Sequence, residues 1–197
     1  MNKEELLSKI KNNIHSTYEM PSFEELNAVK YDNPLLQFVE MSQTVGGMVV
    51  HLKSGEDVNK VIRDIYPDAT VITSNLQEVT IANRNPDTVT EANDLNGTDV
   101  GVVKGEFGVA ENGCVWVPQT MKEKAVCFIS ENLVILLDSD KIVNNMHEAY
   151  ERIHFTDYGY GCFISGPSKT ADIAQALVMG SFLLLLKLAL KLCFLLH

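Results

Sequence analysis

Between residues 48 and 164 the chain alternates short, β-branched apolar runs with amphipathic or polar stretches bounded by turn residues, which restricts it to an α/β layer architecture. Residues 48–52 form a short apolar strand. Gly55, Glu56 and Asp57 then open the amphipathic pattern DVNKVIRDIYP, which Pro67 closes. Residues 70–73 are the next strand, and the polar stretch 83–97 reads as loop or short helix. Strands then crowd together at 100–103, 107–110, 115–117, 126–129 and 133–137. Residues 140–152 read as a helix, and Phe163 and Ile164 as the end of a buried strand. Ahead of this series, residues 3–13 and 33–44 carry helical periodicity, separated by the break at Met20, Pro21 and Ser22. A parallel or mixed sheet flanked by helices is the expected product.

At 197 residues the chain is long enough for one domain with a real core and no need of disulfides or metal. With 16 Lys and Arg against 26 Asp and Glu, the net charge is -10, and no Lys/Arg cluster of the kind a nucleic-acid face needs is present. Cys114, Cys127, Cys162 and Cys193 contain no Cys-x-x-Cys pair, so this chain offers no cluster or zinc grip. Thiols in apolar runs fit a reducing compartment. His15, His51, His147, His154 and His197 lack ligand spacing, so no metal site is expected. The charged amino end MNKEELLSKIKNN has no signal-peptide core, and a cytoplasmic protein is the expectation.

The stretch FISGPSKTADIAQALVMG, residues 163–180, passes from an apolar run through a turn into a helical pattern. Gly166 and Pro167 break the strand, Ser168 can cap the helix, and Asp172 lies in its first turn. Backbone N–H groups and the helix dipole at such a start favour an anion, although ordinary capping accounts for the same pattern. No Gly-Lys-Ser/Thr follows a spaced glycine, so this is not a Walker loop.

The segment GPSKTADI resembles the signature of the lactate-utilization protein C family, the LUD-domain proteins. The run DVGVVKGEFGVAENGCVWV, residues 99–117, is similar to that family's stretch leading into Glu-x-Gly-Thr, with Cys114 where the family commonly has Thr. Between the two motifs, Glu131 and Asn132 stand where the family usually shows a His-containing strand, and Ala174 replaces a commonly acidic residue. The resemblance covers roughly the second half of the chain up to Gly180. It implies one LUD-type domain: an N-terminal helical segment (1–45), an α/β core (46–180) and an atypical tail (181–197). It also implies the Rossmann-like fold of the ribose-phosphate isomerase and CoA-transferase group, with functional loops at the carboxyl edge of the sheet.

The function implied is a part in oxidising L-lactate to pyruvate. This chain would hold no cofactor of its own, and iron–sulfur clusters are expected on partner proteins. The candidate ligand-binding residues are Asn112, Gly113, Ser165, Gly166, Ser168, Lys169, Thr170 and Asp172, which would form one cleft for a small carboxylate or other anion. Glu111 is the candidate catalytic group. Residues 110–113 are similar to the CoA-transferase segment whose glutamate attacks an acyl-CoA, so a CoA-transferase-like enzyme is an alternative, as is a non-catalytic anion-binding module. Such an enzyme needs an oxyanion loop, for which Val45, Gly46 and Gly47 are the nearest candidate, although they also read as the turn into the strand at Met48. Glu106 could share charge with Glu111. Trp116 reads as sheet packing, and Tyr158 and Tyr160 as shaping the loop before the last core strand.

After Gly180 the family's final turn and strand give way to SFLLLLKLALKLCFLLH, which reads as a shifted frame or altered terminus. Residues 182–196, with Lys187 and Lys191 inside, are too short and too charged to span a membrane, which takes roughly 20 apolar residues. An interfacial helix or a terminal strand remains.

Overall fold

The computed structural model describes residues 2–16, 18–19, 27–154, 158–165 and the backbone of 191–196. Two helices come first. α1 (Lys3–Asn12) starts with a capping box in which Asn2 and Glu5 satisfy each other's backbone N–H groups. α2 (Pro34–Thr44) has Pro34 in its first turn, and the Asn33 carboxamide accepts from Leu36 N–H. β1 (Met48–His51) leads to α3 (Val58–Ile65), capped by Asp57. Then follow β2 (Ile72–Thr73), a 3-10 turn at Ala92–Leu95, β3 (Val100–Lys104), β4 (Phe107–Val109), β5 (Cys114–Pro118) and α4 (Val126–Ile129). β6 (Asn132–Leu137), β7 (Ile142–Val143), α5 (Met146–Arg152), β8 (Gly161–Ile164) and β9 (Lys191–Leu196) complete the described elements.

These strands make two sheets. The first is wholly parallel, in the order β1-β9-β6-β3-β2. The second, β7-β4-β5-β8, is mixed: β7 runs parallel to β4, while β5 is antiparallel to both β4 and β8. Side-chain alternation along the parallel strands sorts the core into layers. Val100, Val102, Val134 and Leu136 point to one face, where Val58 and Ile62 of α3 cover them. Val103, Leu133, Ile135 and Leu137 point to the other, where they meet Val115 and Val117 of the second sheet. The outer face of that sheet, with Phe107, Val109, Cys114 and Trp116, is closed by Ala149 of α5. The stack therefore runs α3, parallel sheet, mixed sheet, α5, with Phe38 of α2 and Val126 and Cys127 of α4 sealing the middle layer.

A parallel sheet flanked by helices agrees with the expected Rossmann-like architecture, and the second sheet stands where a helix layer would usually lie. Three sequence expectations are corrected. Residues 126–129 are helix, because a four-residue apolar run has no readable period, and here Val126 and Cys127 are buried while Phe128 faces out. Residues 140–152 are not one helix: Ile142 and Val143 pair with Gly108 and Val109, and Asn145 caps α5 only afterwards. Phe163 and Ile164 lie in a half-buried strand rather than a fully buried one. In the tail, the backbone of 191–196 is a strand between β1 and β6, the second of the two forms left open.

Ile135 is fully buried where the two sheets meet. Ile135→Ala is expected to lower the unfolding free energy by about 2–5 kcal/mol in urea titration. Leu36→Ala, at a 55 % exposed position, is expected to change it by less than about 0.5 kcal/mol.

Candidate functional site

The candidate site begins with the turn from β4 to β5. Ala110 N–H and Glu111 N–H extend the pairing with β7 by donating to the carbonyls of Val143 and Asn144, at 2.9 and 3.0 Å. The Asn112 side chain folds back to accept from Cys114 N–H at 3.1 Å. Gly113 takes φ +66° and donates to Val109 O. A Cβ at Gly113 would stand 2.7 Å from Ser42 N, so glycine is required both by conformation and by the close approach of α2. Buried Ser42 donates its hydroxyl to Gly113 O at 3.4 Å.

The exposed Glu111 carboxylate is engaged: its Oε2 accepts from Met146 N–H at 3.0 Å, in the first turn of α5. Around that turn lies a polar network that sequence reading missed. Asn144 Oδ1 accepts from Tyr31 N–H, and its Nδ2 donates to both carboxylate oxygens of Glu148. Asn145, 2 % exposed, accepts from Glu148 N–H and donates to Val29 O. The signal was present as Asn145 followed three residues later by Glu148, the spacing of a capping box. A cleft of about 580 Å³ opens beside this helix start, lined by Asn27, Lys30, Asn145, His147, Glu148 and Glu151.

The pairing of β5 with β8 decides where the second motif starts. Val115 stands opposite Ile164, which is the last residue of β8 and is followed in the chain by Ser165. Gly166, Ser168, Lys169, Thr170 and Asp172 lie outside the described residues. Burial pushes the Cys114 thiol up to about 12, with the Glu111 charge adding to the effect, so the sulfur next to the turn is a packed thiol and not a nucleophile.

The other proposed participants lie elsewhere or are already bonded. Val45, Gly46 and Gly47 end α2: their N–H groups donate to Met41 O, Gln43 O and Ser42 O, leaving no donor of that turn for an oxyanion. Glu106 precedes β4 while Glu111 follows it, so the two carboxylates sit at opposite ends of the strand. Glu106 instead borders a cavity of about 410 Å³ with Phe107, Lys141, Glu151, Arg152 and His154. Trp116 is core, as expected. Its Nε1 donates to the Tyr158 hydroxyl at 3.3 Å, its ring packs on Phe163, and Gly161 lies so close that a Cβ there would overlap it. Tyr160 carries the Lys124 ammonium 4.9 Å above its ring. Among the described residues, no group of three or more His, Cys, Asp or Glu could hold a metal ion, and no helix is long and apolar enough to cross a membrane.

At the carboxyl ends of β3 and β6, Asp138 binds Lys104 at 2.9 Å and Lys141 at 2.7 Å. These hydrogen-bonded ammonium groups lower its carboxyl to about 2.

A family profile for the LUD domain matches residues 35–184, about three quarters of the chain. The chain belongs to the LUD domain family. Membership makes it a lactate-utilization-related protein. A crystal structure of a DUF162 family protein from Deinococcus radiodurans, the same family, superposes with a TM-score of 0.62 at 11% sequence identity. The alignment covers 86% of this chain and 98% of the Deinococcus one, and at that identity the likeness is one of fold. No curated protein gives a significant match. The LUD match takes in the Glu111 turn, β8 and Ser165.

Gly113→Ala is expected to cost at least about 2 kcal/mol, because left-handed strain and a backbone collision add. Gly55→Ala, at φ +80° with nothing within 4 Å of the added carbon, is expected to cost only the strain, about 1 kcal/mol; thermal melts compare the two. The folded-state carboxyl of Asp138 is lowered, so its contribution is present above the unfolded value near 3.8 and lost as pH falls through about 2. Asp138→Asn is expected to remove about 1 kcal/mol of the stability that wild type loses between pH 4 and 2, read from urea midpoints across that window.

Proposed function

We propose that this LUD domain protein is a cytoplasmic accessory or ligand-binding subunit of a system that oxidises L-lactate to pyruvate, with iron–sulfur clusters carried by its partners. The observation that carries this reading is the LUD match over residues 35–184. A small-carboxylate site is supported by the β5–β8 pairing, which ends with Val115 opposite Ile164, the residue before Ser165, the first polar residue of the anion-favouring motif. Ser168, Lys169, Thr170 and Asp172 follow directly in sequence. Together with Asn112 they would hold the carboxylate through backbone N–H groups and hydroxyls, with Gly113 shaping the turn while its N–H donates to Val109 O.

Acyl transfer by Glu111 is the second reading. It requires a carboxylate free to attack and donors for the oxyanion. The hydrogen bond from Met146 N–H to Glu111 and the engagement of the Val45, Gly46 and Gly47 N–H groups favour the non-catalytic role.

Deleting the gene in its native host is expected to abolish growth on L-lactate and spare growth on pyruvate, with recovery from a plasmid copy. Undiminished growth on L-lactate would overturn the assignment. In calorimetry with L-lactate and pyruvate, Ser168→Ala and Asp172→Ala are expected to weaken binding about tenfold in variants that circular dichroism shows to be folded. An acyl adduct on Glu111, found by mass spectrometry after incubation with acyl-CoA, would replace the accessory role with the enzymatic one.

A further inference from the structure

α1 is a formed helix without a described partner. Every described residue from Asn2 to Ser16 is exposed, among them Leu6, Leu7, Ile10 and Ile14 at 44–54%. A ten-residue helix is marginal in water by itself, and its capping box stabilises only its start. At about 100° per residue, Leu6, Ile10 and Leu7 make one apolar stripe roughly 100° wide, with Lys3 on the same face at its N-terminal end. The LUD match begins at residue 35, so this helix lies outside the matched residues.

The charges beside the stripe identify its occupant. Glu4 and Glu5 lie in the first turn, Lys9 and Lys11 in the last. Glu4 and Lys11 border the stripe on one side, and Glu5 and Lys9 on the other. Each border is acidic at its N-terminal end and basic at its C-terminal end. A second copy of α1 laid antiparallel, with the two-fold axis near Leu7 and Ser8, sets Glu4 against Lys11 and Glu5 against Lys9, twice each. The helix dipoles then oppose, and each leucine stripe covers the other. A parallel pairing would place acid beside acid and base beside base.

We infer that α1 is a self-pairing surface through which two copies of this chain associate by antiparallel, isologous helix packing. Two helices of this length bury a contact at the small end of specific interfaces, so the dimer forms at high protein concentration and separates on dilution.

Sedimentation velocity on the full chain, from about 300 µM down to about 10 µM, is expected to show a reversible monomer–dimer equilibrium. Leu7→Glu with Ile10→Glu is expected to leave only monomer. Glu4→Lys and Lys11→Glu, each alone, turn two attractive pairs into repulsive ones and are expected to weaken self-association about tenfold. Glu5 is left untouched because it closes the capping box. Mixed one to one, the two charge variants are expected to form a heterodimer at wild-type strength, since every reversed charge then meets its opposite. Circular dichroism of each variant at equal concentration separates loss of pairing from loss of helix. A wild-type chain monomeric throughout overturns the inference, as does dimerisation unchanged by Leu7→Glu with Ile10→Glu. So does a mixture of folded charge variants that fails to recover association.

Discussion

The packing of one sheet directly on another decides the rest of this structure. Leu133, Ile135 and Leu137 of the parallel sheet meet Val115 and Val117 of the mixed sheet without a helix between them. Gly105 makes the approach possible, because a Cβ there would stand 2.5 Å from Val115 Cγ1 and 3.0 Å from Ile135 Cγ2. At this residue the chain leaves β3 and starts the second sheet, so the crossover coincides with a close contact between the sheets. Burying these aliphatic side chains supplies the principal driving force of the middle layer. Phe38 and the α4 residues then close its sides.

A second consequence of the layering is the position of the Glu111 turn. It is held between the backbone of α2 at Ser42 and the start of α5 at Met146. Asn144, Asn145 and Glu148 tie the same helix start to the backbone at Val29 and Tyr31. Three segments far apart in sequence thus converge on one small polar cluster. Its internal bonds are satisfied by side chains and backbone of this chain, which preorganises the turn that β8 approaches.

Much of this was written locally in the sequence. The caps at Asn2, Asn33 and Asp57, the turn at Asn112-Gly113 and the β-branched runs of β3, β5 and β6 each specify a short piece of backbone through neighbouring residues alone. The family motif around Glu111 was legible for the same reason: a glycine with positive φ and a carboxamide closing on the next turn are local chemistry. Residues 126–129 and 140–145 were misread because their form depends on pairing and packing partners, the four-residue helix of α4 filling the side of the middle core and Ile142 and Val143 meeting β4.

The sequence by itself determined the alternation of elements, the family motifs and the chemical character of the Glu111 turn, since periodicity, capping and turn preference act over a few residues. Only the tertiary structure decided that β4, β5, β7 and β8 separate into a second sheet and that β8 lies against β5. Those outcomes rest on registers and contacts between residues dozens of positions apart, and no local preference encodes which strand a given strand will meet.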